Sequence, residues 1–108
     1  MSRLLLALAL ALAPLAAHAA DMPEFTLTIQ NHRFSPTEVT IPANTRVKLI
    51  VVNKDATAEE FESHELNREK IVAGGSTINV YVGPLKAGRY PFFGDFNQAT
   101  AQGVLIAR

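Results

Sequence analysis

The chain has 108 residues, of which 48% are apolar, and its ten basic and ten acidic residues cancel to a formal net charge of zero. This balance gives no electrostatic basis for binding nucleic acid or an anionic membrane surface. The sequence contains no cysteine, which excludes disulfides, thiolate nucleophiles, zinc–thiolate and iron–sulfur centres, and any blue copper site.

The N-terminal segment has the pattern of a secretory signal peptide. Arg3 precedes an apolar run over residues 4–17, and an Ala-His-Ala triplet at residues 17–19 offers small side chains where a signal peptidase reads them. The run is shorter than the roughly 20 apolar residues that a membrane span needs, although a retained anchor is the alternative. We therefore predict an exported protein with a signal peptide over residues 1–19 and one domain over residues 20–108.

Beyond this segment, the apolar residues recur with a period of two, which is the pattern of β-strands. Short turn sequences such as Ala43-Asn44 and Gly74-Gly75 separate the runs. Only residues 59–69 would allow a turn or two of helix. Short alternating runs separated by turns predict a single all-β domain, a sandwich or barrel. Its strands are expected, in chain order, at residues 25–29, 39–41, 46–52, 78–82, 90–92 and 103–107.

Two segments resemble the cupredoxins. Residues 34–47, FSPTEVTIPANTRV, precede a strand that ends in Asn53-Lys54-Asp55 and resemble the front half of that family. Residues 87–93, AGRYPFF, are similar to the family's approach to its metal loop. The resemblance extends over residues 25–106 and implies a cupredoxin-like Greek-key β-sandwich of about seven strands.

The copper ligands of the cupredoxins do not carry over to this chain. Gly94 stands where the family pattern has its cysteine, and Asn97 stands where the pattern has a histidine three residues later. Gln102 falls close to the position of the axial methionine, but a blue site is defined by its thiolate. We therefore expect the fold without a type-1 copper site.

A narrower resemblance is to cupredoxin-like periplasmic proteins of bacterial iron uptake. It is carried by residues 59–72, EEFESHELNREKIV, and by residues 93–96, FGDF. Because such proteins often accompany high-affinity iron permeases, the resemblance implies a periplasmic accessory protein whose partner is a membrane iron permease. Family members commonly have a histidine at the position of Asn97, and this chain departs from them there.

The acidic residues are concentrated in the same region, since five of the ten lie within residues 59–69. If the segment is extended, Phe61 points inward while Glu60, Glu62 and His64 share the opposite face. In the fold that the resemblance implies, the loop carrying Asp95 meets this segment at one end of the sandwich.

Several carboxylates with one imidazole and no sulfur suit iron, manganese or copper(II). We predict a metal site for iron or copper(II). Its candidate ligands, in decreasing order of preference, are Glu62, Asp95, Glu60, His64 and Glu69.

Other interpretations remain open. Clustered carboxylates also form solvated faces or protect a sheet edge, and a metal-free β-sandwich could serve as a protein partner or assembly factor. Electron transfer is disfavoured because no cysteine is present. No catalytic triad context, phosphate loop or H-E-x-x-H motif occurs, so we predict no enzymatic activity. His32 is expected to be exposed in the first turn, and Phe92, Phe93 and Phe96 are expected in the core.

Overall fold

The computed structural model describes residues 22–108, and the predicted signal peptide lies outside this range. Within it the chain forms nine β-strands and one 3₁₀ turn, Asp95–Asn97. No helix in these residues is long and apolar enough to cross a membrane. The strands are β1 Glu24–Gln30, β2 Arg33–Ser35, β3 Glu38–Ile41, β4 Val47–Asn53, β5 Glu59–Ser63, β6 Arg68–Val72, β7 Thr77–Val82, β8 Gly88–Gly94 and β9 Gln102–Ala107.

The strands form two sheets, which confirms the predicted β-sandwich. One sheet has the order β2-β1-β4-β7 and the other has the order β3-β9-β8-β5-β6. The pairs β1–β4 and β3–β9 are parallel, and the remaining pairs are antiparallel. Alternate side chains of each strand enter the space between the sheets, as the period of two predicts. In β4 these are Val47, Leu49 and Val51, all fully buried.

All six segments predicted from alternation are strands, but the total is nine rather than about seven. The additional strands are the three-residue β2 and the hairpin of β5 and β6, which are rich in charged residues. The hairpin occupies residues 59–72, so the alternative of a helical turn there is wrong. Within β5, Phe61 is fully buried, as expected for an extended segment.

Three phenylalanine rings form the aromatic part of the core, below the end of the sandwich where β5 and β8 meet. The Phe34 ring meets the Phe92 ring edge-on at 5.0 Å between centroids, and Phe61 lies 5.3 Å from Phe92. Edge-to-face contacts of this kind stabilise a core beyond the area that they bury. Phe93 is half-buried and Phe96 is 50% exposed, so the expectation that Phe96 belongs to the core is wrong.

The two sheets are joined along one side by basic side chains of β6. Arg68 Nε donates to the Tyr81 carbonyl oxygen at 2.8 Å, and Lys70 Nζ donates to the Asn79 carbonyl oxygen at 3.0 Å. Both acceptors lie on β7, the edge strand of the other sheet. These bonds satisfy edge carbonyls that would otherwise be available to another chain.

Candidate metal centre

Three of the predicted ligands converge at one end of the sandwich. A carboxylate oxygen from each of Glu60, Glu62 and Asp95 lies within 4.8 Å of the other two. Glu60 and Glu62 project from the same face of β5 because they are two residues apart on a strand. Asp95 begins the 3₁₀ turn after β8, and the pairing of Glu62 with Phe93 brings that turn beside β5.

The other two predicted ligands lie next to this group but outside it. Glu69 on β6 is directly opposite Glu62 and is exposed. His64 follows the last residue of β5, is exposed, and packs its ring 5.4 Å from the ring of Phe93. Both side chains line a shallow groove that also contains Glu62. The structure therefore brings together Glu60, Glu62 and Asp95, with Glu69 and His64 at the margin.

The electrostatics of the group favour the addition of a positive charge. Burial raises the pKa of Glu60 above its ordinary value, and repulsion from Glu69, Asp95 and Glu62 raises it further. Burial also raises the pKa of Glu62, followed by repulsion from Asp95 and Glu69, while the nearby His64 lowers it. A cation between these carboxylates would offset both effects.

Glu60 is the most constrained member of the group. Its side chain is only 9% exposed. Among residues 22–108, no cation pairs with its carboxylate, and no N–H group donates to it. The basic side chains of the paired strand β6, Arg68 and Lys70, point to β7 instead. Because no buried side-chain oxygen among these residues lacks a hydrogen-bond partner, the exposed part of Glu60 includes its carboxylate oxygens, which a cation could reach.

Glu59 was not predicted as a functional residue. Its side chain is 1% exposed, and both of its carboxylate oxygens are hydrogen-bonded. Oε1 accepts from the backbone N–H of Glu60 at 3.0 Å and of Phe96 at 2.9 Å, and Oε2 accepts from Asn97 Nδ2 at 2.7 Å. The signal was present in the sequence, since strand alternation that points Phe61 inward also points Glu59 inward.

The structure also places the three positions that the resemblance matches to the type-1 copper ligands: Gly94, Asn97 and Gln102. A Cβ added at Gly94 would lie 2.6 Å from Cδ of Glu59 and 2.8 Å from its Oε2. The Glu59 carboxylate therefore occupies the volume into which a side chain at position 94 would project, and Asn97 is bonded to it. Gln102 is exposed and donates from Nε2 to the Gln98 carbonyl oxygen at 2.9 Å.

The turn between β1 and β2 lies at the same end of the molecule. Asn31 and His32 both have positive φ, at 54° and 57°, and His32 is exposed as expected. Their N–H groups donate to Oδ1 and Oδ2 of Asp55 at 2.8 and 3.0 Å, and the bond from His32 lowers the pKa of Asp55. Thr100 Oγ1 donates to the His32 carbonyl oxygen at 2.6 Å. The turn is thereby fixed to the connection between β8 and β9.

Comparisons with known proteins place this geometry in context. The family model of the cupredoxin-like domain matches residues 2–107. An uncharacterised protein of Rickettsia prowazekii (strain Madrid E) is 52% identical over 83 residues. The match covers 77% of this chain and 66% of that protein, so the chain spans slightly less than two thirds of its relative's length.

Solved structures share the fold at low sequence identity. Auracyanin A, a blue copper protein from Chloroflexus aurantiacus, has a TM-score of 0.68 at 16% identity, over 79% of this chain and 98% of that one. The metal-binding domain of a Cu(I)-exporting P-type ATPase from Streptococcus pneumoniae D39 has a TM-score of 0.67 at 9% identity, over 79% and 84%. Amicyanin from Paracoccus versutus has a TM-score of 0.62 at 18% identity, over 82% and 83%. At these identities the likeness concerns the fold alone.

Proposed function

The chain belongs to the cupredoxin-like domain family, and on that premise we propose that it is a periplasmic metal-binding accessory protein. It binds iron or copper(II) through Glu60, Glu62 and Asp95 and supports uptake of the metal by a membrane permease. The observation that carries the proposal is the convergence of three carboxylate oxygens within 4.8 Å of one another, in a group where burial and mutual repulsion raise the pKa values of Glu60 and Glu62.

The chemistry of the site supports hard or borderline ions. Its donors are carboxylate oxygens, with the His64 imidazole at the margin and no sulfur within reach, since the sequence has no cysteine. The partly exposed carboxylates of Glu62 and Asp95 leave a side of the site open to solvent. An open site suits a protein that receives an ion and passes it on.

Auracyanin A is named as a blue copper protein, but electron transfer through a blue copper site receives no support in this chain. The family's thiolate position is Gly94, and the adjacent volume holds the Glu59 carboxylate.

Calorimetric titration of the protein with iron(II) under anaerobic conditions, copper(II) and manganese(II) at neutral pH tests the proposal. We expect saturable binding of iron or copper, lost in the isosteric double variant Glu62→Gln/Asp95→Asn. The matched control is Glu38→Gln/Glu65→Gln, which removes the same charge at exposed positions away from the converging oxygens and should bind as the wild type does. Flat titrations for every ion, or equal loss in the control, would contradict a specific centre.

A second candidate function is a metal-free role as a protein partner or assembly factor. Two exposed apolar side chains beside the carboxylates favour it: Ile71, directly opposite Glu60 and 56% exposed, and Phe96, next to Asp95. In this case iron uptake by cells would be lost in Ile71→Ser/Phe96→Ser and retained in Glu62→Gln/Asp95→Asn. The metal-binding function requires loss of uptake in the carboxylate variant.

A further inference from the structure

The Glu59 carboxylate connects the two parts of the chain that supply the candidate ligands. Oε1 accepts at once from the N–H of Glu60 on β5 and from the N–H of Phe96, the residue after Asp95. Oε2 accepts from the side chain of Asn97, the last residue of the same 3₁₀ turn. A single buried side chain thus bridges the backbone beside Glu60 and the backbone beside Asp95.

Gly94, the last residue of β8, pairs with Phe61 on β5, but the turn beyond it has few other hydrogen bonds to β5. None of its three residues is buried, and its N-cap Gly94 supplies no side-chain hydrogen bond. Its other bonds are local to the β8–β9 connection, where Gly94 N donates to the Ala101 carbonyl oxygen and Ala101 N donates to that of Asn97, both at 2.8 Å. Within residues 22–108, the Asp95 side chain accepts from Gln98 Nε2, three residues further along the same connection, at 2.8 Å.

A carboxylate suits this position better than a neutral side chain. Its two oxygens offer enough lone pairs to accept all three donors, and a shorter or apolar side chain could not reach them. The space for the carboxylate exists only because residue 94 is glycine, since a Cβ there would lie 2.6 Å from Cδ of Glu59. Gly94, Glu59 and Asn97 therefore form one unit at the end of the sandwich.

We propose that Glu59 is the positioning residue of the metal centre. By holding the Asp95–Asn97 turn against β5, its buried carboxylate fixes Asp95 beside Glu60 and Glu62 at a separation that one ion can bridge. The inference rests on the proposed function, because it assigns Glu59 a role in that same site. Glu59 is not itself a ligand, since the turn and its own strand already occupy both of its oxygens.

The test uses two substitutions at this residue. Glu59→Ala removes all three hydrogen bonds. Glu59→Gln keeps an oxygen that can accept from the N–H groups of Glu60 and Phe96. Its Nε2 can donate to Oδ1 of Asn97 once the Asn97 side-chain amide has flipped. Binding of the ion that gave a saturable titration is then measured by calorimetry, and amide hydrogen exchange of Phe96 is measured in the metal-free protein.

Positioning predicts that Glu59→Ala weakens metal binding by about 10–100-fold, the usual effect of removing a group that orients a ligand. Exchange at Phe96 should accelerate by at least about tenfold relative to the core amides. Glu59→Gln should restore both values to within a few-fold of the wild type. If Glu59→Ala is too unstable to measure, Asn97→Ala removes only the bond to Oε2 and should give a smaller effect in the same direction.

Ser63→Ala is the matched control. Ser63 is equally buried on β5 and makes two hydrogen bonds, to the Pro91 carbonyl oxygen at 2.7 Å and from Leu66 N at 3.1 Å, neither of which reaches the turn. We expect it to lower stability without a selective change at Phe96 or in metal affinity. Equal losses in Ser63→Ala and Glu59→Ala would reduce Glu59 to a structural residue and overturn the inference.

Two other outcomes are also decisive. Equal weakening in Glu59→Gln and Glu59→Ala would mean that the charge of Glu59 acts from a distance, not its hydrogen bonds, and would overturn positioning. If Glu59→Ala binds metal as tightly as the wild type does, the inference about Glu59 is overturned while the proposed function stands. A wild-type protein that binds no ion would overturn the proposed function, and the role of Glu59 in the centre with it.

Discussion

At the scale of single residues, two glycines mark where a neighbour requires the absence of a side chain. Gly94 leaves room for the Glu59 carboxylate, and a Cβ at Gly103 would collide with the ring of Phe92 and lie 3.0 Å from the Thr37 carbonyl oxygen. The Phe92 ring cannot move aside, because Phe34 and Phe61 pack against it. Both glycines thus serve close packing rather than an unusual backbone conformation.

Gly103→Ala is therefore expected to destabilise the fold by about 1–3 kcal/mol, the usual range for overpacking a core. Urea unfolding measures this change. The control is Gly88→Ala on β8, where a new Cβ would be no closer than 3.6 Å to any atom of the neighbouring side chains. That variant should change stability by less than about 1 kcal/mol. Equal effects at the two positions would show that Phe92 does not limit the space at Gly103.

Asp55 provides a residue-scale prediction that depends on pH. The N–H of His32 lowers the pKa of Asp55 in the folded state below its ordinary value of 3.8, with a further contribution from Asn31. A lowered pKa contributes stability that is fully present above pH 3.8 and is lost as the pH falls through the folded value. Asp55→Asn replaces one acceptor oxygen by a donor that faces an N–H group.

We expect Asp55→Asn to be less stable than the wild type at pH 7 and the difference to shrink as the pH falls below about 3.8. Urea unfolding across the range from pH 7 to pH 2.5 measures it. A difference that does not depend on pH would indicate that Asp55 acts through packing and not through its charge.

At the scale of elements, β6 both contributes to the centre and closes the sandwich. Glu69 and Ile71 share the face that carries the acidic group, whereas Arg68 and Lys70 point to the edge of β7. Because successive strand residues point to opposite faces, a run of alternating charges can serve both purposes. The same alternation keeps the two cations from neutralising the carboxylates.

The double variant Arg68→Ala/Lys70→Ala should expose the edge carbonyls of β7 and promote self-association. Sedimentation at increasing protein concentration is expected to show a shift towards larger species than the wild type forms. Lys54→Ala/Lys86→Ala removes the same charge from exposed positions and is the control. Identical sedimentation of the two variants would mean that charge, and not edge protection, is what matters.

The elements also show what the sequence could predict. Strands such as β1, β4 and β7 have alternating apolar residues, so the period of two located them. β5 and β6 have too many charged residues for that signal, and their pairing comes from tertiary contacts. The adjacency of Asp95 to β5 followed from the family resemblance. Glu59 was missed because a carboxylate in a core contradicts the rule that places apolar residues inside, and only its hydrogen-bond partners explain it.

At the scale of the whole molecule, the carboxylates of Glu60, Glu62, Glu69 and Asp95 repel one another at the acidic end. The raised pKa values of Glu60 and Glu62 mean that the folded state binds protons more tightly there than the unfolded chain does. Their contribution to stability is fully present below the ordinary value of 4.5 and is lost as the pH rises through the folded values. At neutral pH the metal-free fold therefore carries a cost that a bound cation would remove.

Metal binding and protonation should accordingly compete. Because a cation displaces protons from the carboxylates, affinity for iron or copper should increase as the pH rises through the folded pKa values of Glu60 and Glu62 and should then level off.

An ion at a free concentration of 100 times its Kd should stabilise the fold by about 2.7 kcal/mol. Thermal unfolding with and without the ion, at pH 4 and at pH 7, measures this linkage. The increase in Tm should be large at pH 7 and small at pH 4 in the wild type, and absent at both in Glu62→Gln/Asp95→Asn. An increase of equal size at the two pH values would mean that the ion does not bind these carboxylates, because protons compete with it for them at pH 4.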